Sequence, residues 1–157
     1  MVSRQQVEAE LTQLAESILA EAGLELVELA IKGSGNQQVL RLSIDRAGSL
    51  GAGLEDCQRI SRELSSALDE AEPISTSYVL EVSSPGIDRP IRTADDIRRN
   101  TGRRVVVTAK DATGHERLYR GTLLGSQTEQ LRLAGEVEEE IRIPLEAVVS
   151  ARQDVSL

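Results

Sequence analysis

Aromatic side chains are nearly missing: the 157-residue chain has two tyrosines and neither phenylalanine nor tryptophan. Its cores must therefore be packed by Leu, Val, Ile and Ala, and surfaces on which nucleic-acid bases stack are scarce. One cysteine excludes an intramolecular disulfide, and without a second Cys or clustered His no zinc site is credible. Residues 1–30 lack the basic start and apolar run of a secretory leader, and no stretch approaches the roughly 18 apolar residues of a membrane helix. A cytoplasmic protein with no membrane partner is expected. The lone histidine, His115, falls in a predicted turn, Asp111–His115, and Cys57 falls on an apolar helix stripe, so no nucleophile–base pair suggests itself. Asp45, Asp56 and Asp88 serve as strand-end, helix-start and turn residues rather than as ligands of a magnesium ion. No catalytic residue, metal or cofactor is expected.

Charge is present and unevenly spread. The chain carries a net charge of −8. Residues 1–83 hold 6 Lys/Arg against 14 Asp/Glu, whereas residues 84–157 hold 12 of each. Within the second part, residues 89–120 collect 9 basic and 4 acidic side chains. An acidic body does not bind phosphate backbones indiscriminately, because such binding needs many Lys/Arg to displace counterions. It suits a basic protein partner, with one positive patch left for limited RNA contact.

Periodicity orders the elements. Ser3 and Gln6 have capping-box spacing, and Val7, Leu11, Leu14, Ile18 and Leu19 mark one face of a helix from about Arg4 to Ala22, closed by Gly23. Strands follow at Leu24–Ile31 and Val39–Asp45, joined by a loop at Gly33–Asn36. Arg46–Gly53 is a second loop, and a second helix begins near Leu54 with Leu54, Cys57, Ile60, Leu64 and Leu68 inward. Glu72–Ser75 leads to a third strand, Tyr78–Ser83. The order α-β-β-α-β predicts helices on one face of a small sheet. Thr93 caps a short helix through Arg99. Thereafter Val105–Ala109, Leu118–Leu124, Gln130–Leu133, Glu140–Ile143 and Val148–Arg152 read as short strands, with turns at Asp111–His115 and Leu124–Gln127 and a 3₁₀ turn at Pro144–Ala147. Five such strands predict a small closed barrel. The fold class is α+β: an N-terminal sandwich domain (1–83), a Pro/Gly connector (84–92) and a C-terminal barrel domain (93–157).

The chain is organised around Tyr78–Arg92, YVLEVSSPGIDRPIR. A strand stops at Ser83, Pro85 and Gly86 have the spacing of a type II turn, and Pro90 keeps Arg89 extended. Read as spacing alone, this is a hinge between domains. The words Glu81-Val82-Ser83-Ser84-Pro85-Gly86-Ile87-Asp88-Arg89-Pro90 closely resemble the signature of the RimP family, bacterial ribosome maturation factors of the small subunit. Gly23–Val27, Leu40–Asp45, Leu54–Cys57, Gly121–Gly125 and Ile143–Leu145 resemble further landmarks of that family in its order. Gly53 stands where relatives often have Thr, and Ala30 where they often have an acid.

The resemblance implies an SH3-like or Sm-like barrel and a non-catalytic, cytoplasmic assembly factor. It implies association with the immature small subunit and help in recruiting the ribosomal protein of the decoding centre. Ser83, Ser84, Pro85, Gly86, Asp88, Arg89, Pro90 and Arg92 are the signature surface it marks. Arg98, Arg99, Arg103 and Arg104 are the basic patch for rRNA, and a monomer is expected. A second hypothesis makes the barrel a free-standing RNA module whose phosphate contacts come from these arginines with Arg89 and Arg92. Tyr78 and Tyr119 would be its only stacking residues.

Overall fold

The computed structural model describes residues 3–33, 38–48, 51–71, 78–85, 89–137 and 139–154. The described residues form three α-helices, eight strands in two sheets and one 3₁₀ turn, a mixed α+β architecture. The chain divides into two units, Met1–Arg46 with Leu50–Pro85, and Ala47–Ser49 with Gly86–Leu157.

In the first unit, helix α1 (Arg4–Glu21) starts on the expected box. The Ser3 hydroxyl accepts from Gln6 N at 3.2 Å, and Ser3 N donates to Gln6 Oε1 at 3.0 Å. At its end Gly23 takes φ +72°, where an L side chain is strained. Gly23 N donates to Ala20 O and Leu24 N to Leu19 O, a Schellman closure that buries Leu24 with Leu19. The fully buried stripe is Leu11, Ala15 and Leu19, one side chain every fourth residue. Val7, Leu14 and Ile18 pack only partly against the same core.

Strand β1 (Glu25–Lys32) lies antiparallel to β2 (Gln38–Asp45), which lies parallel to β3 (Tyr78–Ser83). Parallel neighbours need a crossover, and helix α2 (Leu54–Ala71) supplies it. Leu40, Leu42 and Ile44 alternate inward from the central strand at 1% exposure or less. They meet the stripe Cys57, Ile60, Leu64 and Leu68 of α2. Leu54, expected in that stripe, is 74% exposed instead. The first turn of α2 is held by polar contacts: Asp56 accepts from Gly53 N at 2.9 Å and takes a two-pronged pair from Arg46 at 2.9 and 3.1 Å. The predicted connections at Gly33–Asn36 and Glu72–Ser75 lie outside the described residues apart from Gly33.

The second unit contains α3 (Ala94–Asn100) and an antiparallel sheet of β4 (Arg104–Lys110), β5 (Glu116–Gln127), β6 (Gln130–Ala134), β7 (Glu140–Pro144) and β8 (Val148–Gln153). The order is β7-β6-β5-β4-β8. Among the described residues no ladder joins β7 to β8, so the predicted closed barrel is corrected to an open ladder. The sheet must nevertheless curl. A flat sheet would hold its two edges about 19 Å apart, four spacings of ~4.8 Å, yet the 3₁₀ turn Leu145–Ala147 alone connects them. Ile143 of β7 and Ala151 of β8 accordingly share one core with Val105, Val107, Leu123, Leu131 and Leu133. The chain passes from β7 to β8 through Pro144 and the 3₁₀ turn, and the two strands meet through core side chains rather than through a ladder.

A second correction concerns β5. The predicted turn at Leu124–Gln127 is strand, because Gly125 sits at a bulge with φ +126° that bends β5 without ending it. The reversal comes at Thr128 and Glu129, with φ +52° and +60°, between the paired Gln127 and Gln130. Two positive φ values in a two-residue loop are the requirement of a type I′ hairpin.

Candidate interaction surfaces

The signature segment is shared between the units. Ser83 ends β3 opposite Ser43 and is exposed, Ser84 is exposed and Pro85 half-buried. Gly86 and Asp88, with the predicted turn at Gly86, lie outside the described residues. In the second unit Arg89 is half-buried, while Pro90 and Arg92 are exposed. Ile91 between them is buried, its N–H donating to Ala151 O at 2.8 Å. Residues 90–92 are thus fastened to β8 by backbone and core, with Arg92 presented outward.

Helix α3 is organised by one carboxylate. Asp96 Oδ2 accepts from the backbone N–H of Arg92 and of Thr93, both at 3.0 Å, while Thr93 Oγ1 caps Asp96 N. Asp96 Oδ1 takes Arg99 at 3.0 Å, and both side chains are almost fully buried. Burial alone would raise the Asp96 pKa. The backbone donors and the Arg99 guanidinium outweigh it and hold the carboxyl below its ordinary 3.8. Arg99 therefore leaves the RNA-facing patch expected from the sequence: it is a buried counter-ion.

The other members of that patch have separate tasks. Arg98 is exposed and pairs with Asp95 at 3.3 Å. Arg103 is half-buried, donating to Gly48 O at 2.8 Å and to Asn100 Oδ1 at 3.1 Å within the same unit. Arg104, on β4, reaches Glu136 at 3.2 Å and lies 4.0 Å from Asp154. Arg120 of β5, which sequence reasoning did not single out, stands 3.7 Å from that same Asp154. Neither sequence spacing nor composition marks Arg120, because its neighbours come from other strands.

Both tyrosines point inward. Tyr78 packs on the first core, where burial and then Asp69 raise its phenol pKa, and Tyr119 packs on the second. Burial, then Asp56, pushes the Cys57 thiol up, away from reactive thiolate. His115 closes the β4–β5 hairpin, its ring Nδ1 2.8 Å from Thr113 Oγ1. In the same turn Asp111 is held at about 2, first by the Thr113 hydroxyl, with the His115 and Thr113 N–H groups and Arg117 adding to it against the opposing effect of burial. A cleft of about 500 Å³ in the second unit is lined by Pro90, Ile91, Arg92, Leu131, Leu145 and Arg152 among others. Among the described residues no group of three or more acidic, His or Cys side chains is placed to hold a metal. No described helix is long and apolar enough to cross a membrane.

Residues 14–88, from the middle of α1 through the first part of the signature, match the family described as the RimP N-terminal domain.

Proposed function

We propose that this chain, whose residues 14–88 match the RimP N-terminal domain, is a member of the RimP family of ribosome maturation factors and a non-catalytic assembly factor of the small ribosomal subunit. It associates with the immature particle and promotes entry of the basic ribosomal protein of the decoding centre. The observation that carries this reading is the match over residues 14–88, which takes in the signature through Asp88. Electrostatics supports the choice of partner: the described arginines of the first unit are few and several already face acids, as Arg41 faces Glu81 and Arg59 faces Glu63. That leaves an acidic surface suited to a basic protein.

The functional division we propose is 1–83, 84–92 and 93–157, in a cytoplasmic monomer. We read the curled sheet as the family's SH3-like or Sm-like barrel. Two features support this: a 3₁₀ turn precedes the last strand, and that strand pairs back with the sheet's first strand, β4. The signature residues Ser83–Arg92 are proposed to meet the particle, with Arg92 as the accessible charge.

Cosedimentation with separated small subunits, large subunits and joined ribosomes tests the reading. The wild-type protein is expected to travel with small subunits alone. Arg92→Glu is expected to weaken that association at least several-fold with an unchanged melting temperature, because the side chain is exposed. Travel with no particle, mature or immature, sinks the proposal.

A further inference from the structure

We infer that the outer face of β5-β4-β8 is a binding surface for the phosphate backbone of RNA, built by Arg104, Arg120 and Arg152 and blind to base sequence. The inference deepens the maturation-factor reading and rests on it for the source of the RNA.

Strand alternation puts the three arginines on one face. Val105, Val107 and Ala109 of β4 point into the core, so Arg104, Val106 and Thr108 lie on the opposite face, where Val106 itself keeps only 4% of its surface in solvent. Val106 is directly opposite Arg120 on β5 and Arg152 on β8. Residues directly opposite in a ladder share a face, so Arg120 and Arg152 flank Val106 in a single row, about 10 Å apart across two strand spacings. Arg104 lies one step along β4, about 7 Å from that row. A nucleic-acid strand advances roughly 3.4 Å per phosphate. A triangle of this size therefore offers each guanidinium a different phosphate.

A carboxylate lies within the same cluster. The Asp154 side chain is 3% exposed and lies 3.7 Å from Arg120 and 4.0 Å from Arg104. Its own N–H donates to Arg104 O at 2.9 Å, which anchors the carboxylate to the strand. One buried carboxylate thus faces two guanidiniums, and Arg152 adds a third cation in the same row. Arg104 and Arg120 keep about half of their side chains in solvent, at 47% and 52%. Glu136 also reaches Arg104, but it is 73% exposed, and exposed pairs of this kind yield readily to a phosphate.

The recognition has to be of backbone rather than bases. Tyr119 turns into the core from the strand that carries Arg120, and Tyr78 is packed on the other unit's core. Both are partly buried against a core, which leaves little of either ring as a stacking platform. The remaining chemistry, guanidinium to phosphate, positions an RNA without reading it. With a net charge of −8 over the molecule, a confined cationic face also orients the protein, because the acidic remainder repels RNA.

The test is a salt titration with a fluorescein-labelled RNA hairpin of about 20 base pairs and a second hairpin of scrambled sequence. Three phosphate contacts predict a slope of log K against log salt near −2.7, about a 40-fold loss of affinity from 50 to 200 mM salt. Replacing Arg104, Arg120 and Arg152 together by Gln should flatten the slope by about that amount and weaken both hairpins equally. A control triple of Arg59→Gln, Arg117→Gln and Arg142→Gln removes the same charge elsewhere and should leave the slope unchanged. If the first triple variant melts early, because Asp154 loses its neighbours, Arg152→Glu alone decides. Arg152 is not paired with Asp154, and its reversal should still cut affinity several-fold at the wild-type melting temperature. Equal effects from the control triple, a wild-type protein that binds neither hairpin, or a strong preference for one sequence each overturn the inference. Small-subunit cosedimentation of the wild type runs in parallel. Travel with the subunit without salt-sensitive hairpin binding sinks this inference alone. Hairpin binding without travel sinks the maturation reading alone.

Discussion

Asp96 satisfies two backbone N–H groups at the start of α3 and neutralises Arg99, all at 5% exposure. Its folded pKa lies below the ordinary 3.8. A depressed carboxylate contributes stability that is complete above its unfolded pKa and disappears as pH falls through the folded one. Asp96→Asn removes a carboxylate charge from beside the buried Arg99 guanidinium, and we expect a loss on the order of 1–3 kcal/mol at pH 7. The difference between wild type and variant, measured by urea unfolding, should shrink below about pH 4 as Asp96 becomes protonated. A difference that stays constant down to pH 2 argues against the ion pair as its origin. The cap itself was legible, since Thr93 and Asp96 have the spacing of a capping box. The burial of Arg99 was not. Three residues on a helix place Arg99 beside Asp96, but whether that face meets solvent or core depends on the sheet beneath it.

Strand β5 shows the same division among elements. Its apolar residues announce a strand, whereas Gly125 resembles a turn signal and proves to be a bulge. Thr128 and Glu129 carry none of the Asn-Gly character that usually marks a type I′ hairpin, so the reversal was missed by one short segment. Gly121 on β5 has a plainer requirement. A Cβ there would lie 2.5 Å from Ala134 O of β6, and a backbone carbonyl within a ladder cannot retreat. Gly121→Ala should cost on the order of 1–3 kcal/mol. The readout is the urea midpoint, which should fall with an unchanged slope, and a wild-type midpoint would show that β6 moves aside freely. In the first unit the helix stripes were readable because Leu11, Leu19, Ile60, Leu64 and Leu68 repeat at helical spacing. Leu54 was misplaced because periodicity alone does not say where a helix leaves its core, and at that end Arg46 and Asp56 hold the first turn instead.

At the scale of the whole molecule, charge separates by unit, with the acidic excess in residues 1–83 and the cationic face in the second unit. Two partners of opposite charge can then be served by one chain. Binding of the isolated basic ribosomal protein is expected to persist in the Arg104, Arg120 and Arg152 triple-Gln variant and to weaken severalfold between 50 and 300 mM salt. Titration by calorimetry checks this, and loss of that binding in the variant would mean that a single surface serves both partners. The amino-acid sequence by itself determined the order of elements, the caps at Ser3 and Thr93, the aliphatic character of both cores, the acidic first part and the family signature at Glu81–Pro90. Each of these is a local pattern, written in residues a few positions apart. Only the tertiary structure decided that the sheet stays open between β7 and β8, that Arg99 is buried, and that Arg104, Arg120 and Arg152 share a face. Those outcomes depend on ladder register between strands distant in the chain, and register is set by how the pleats pack over the core.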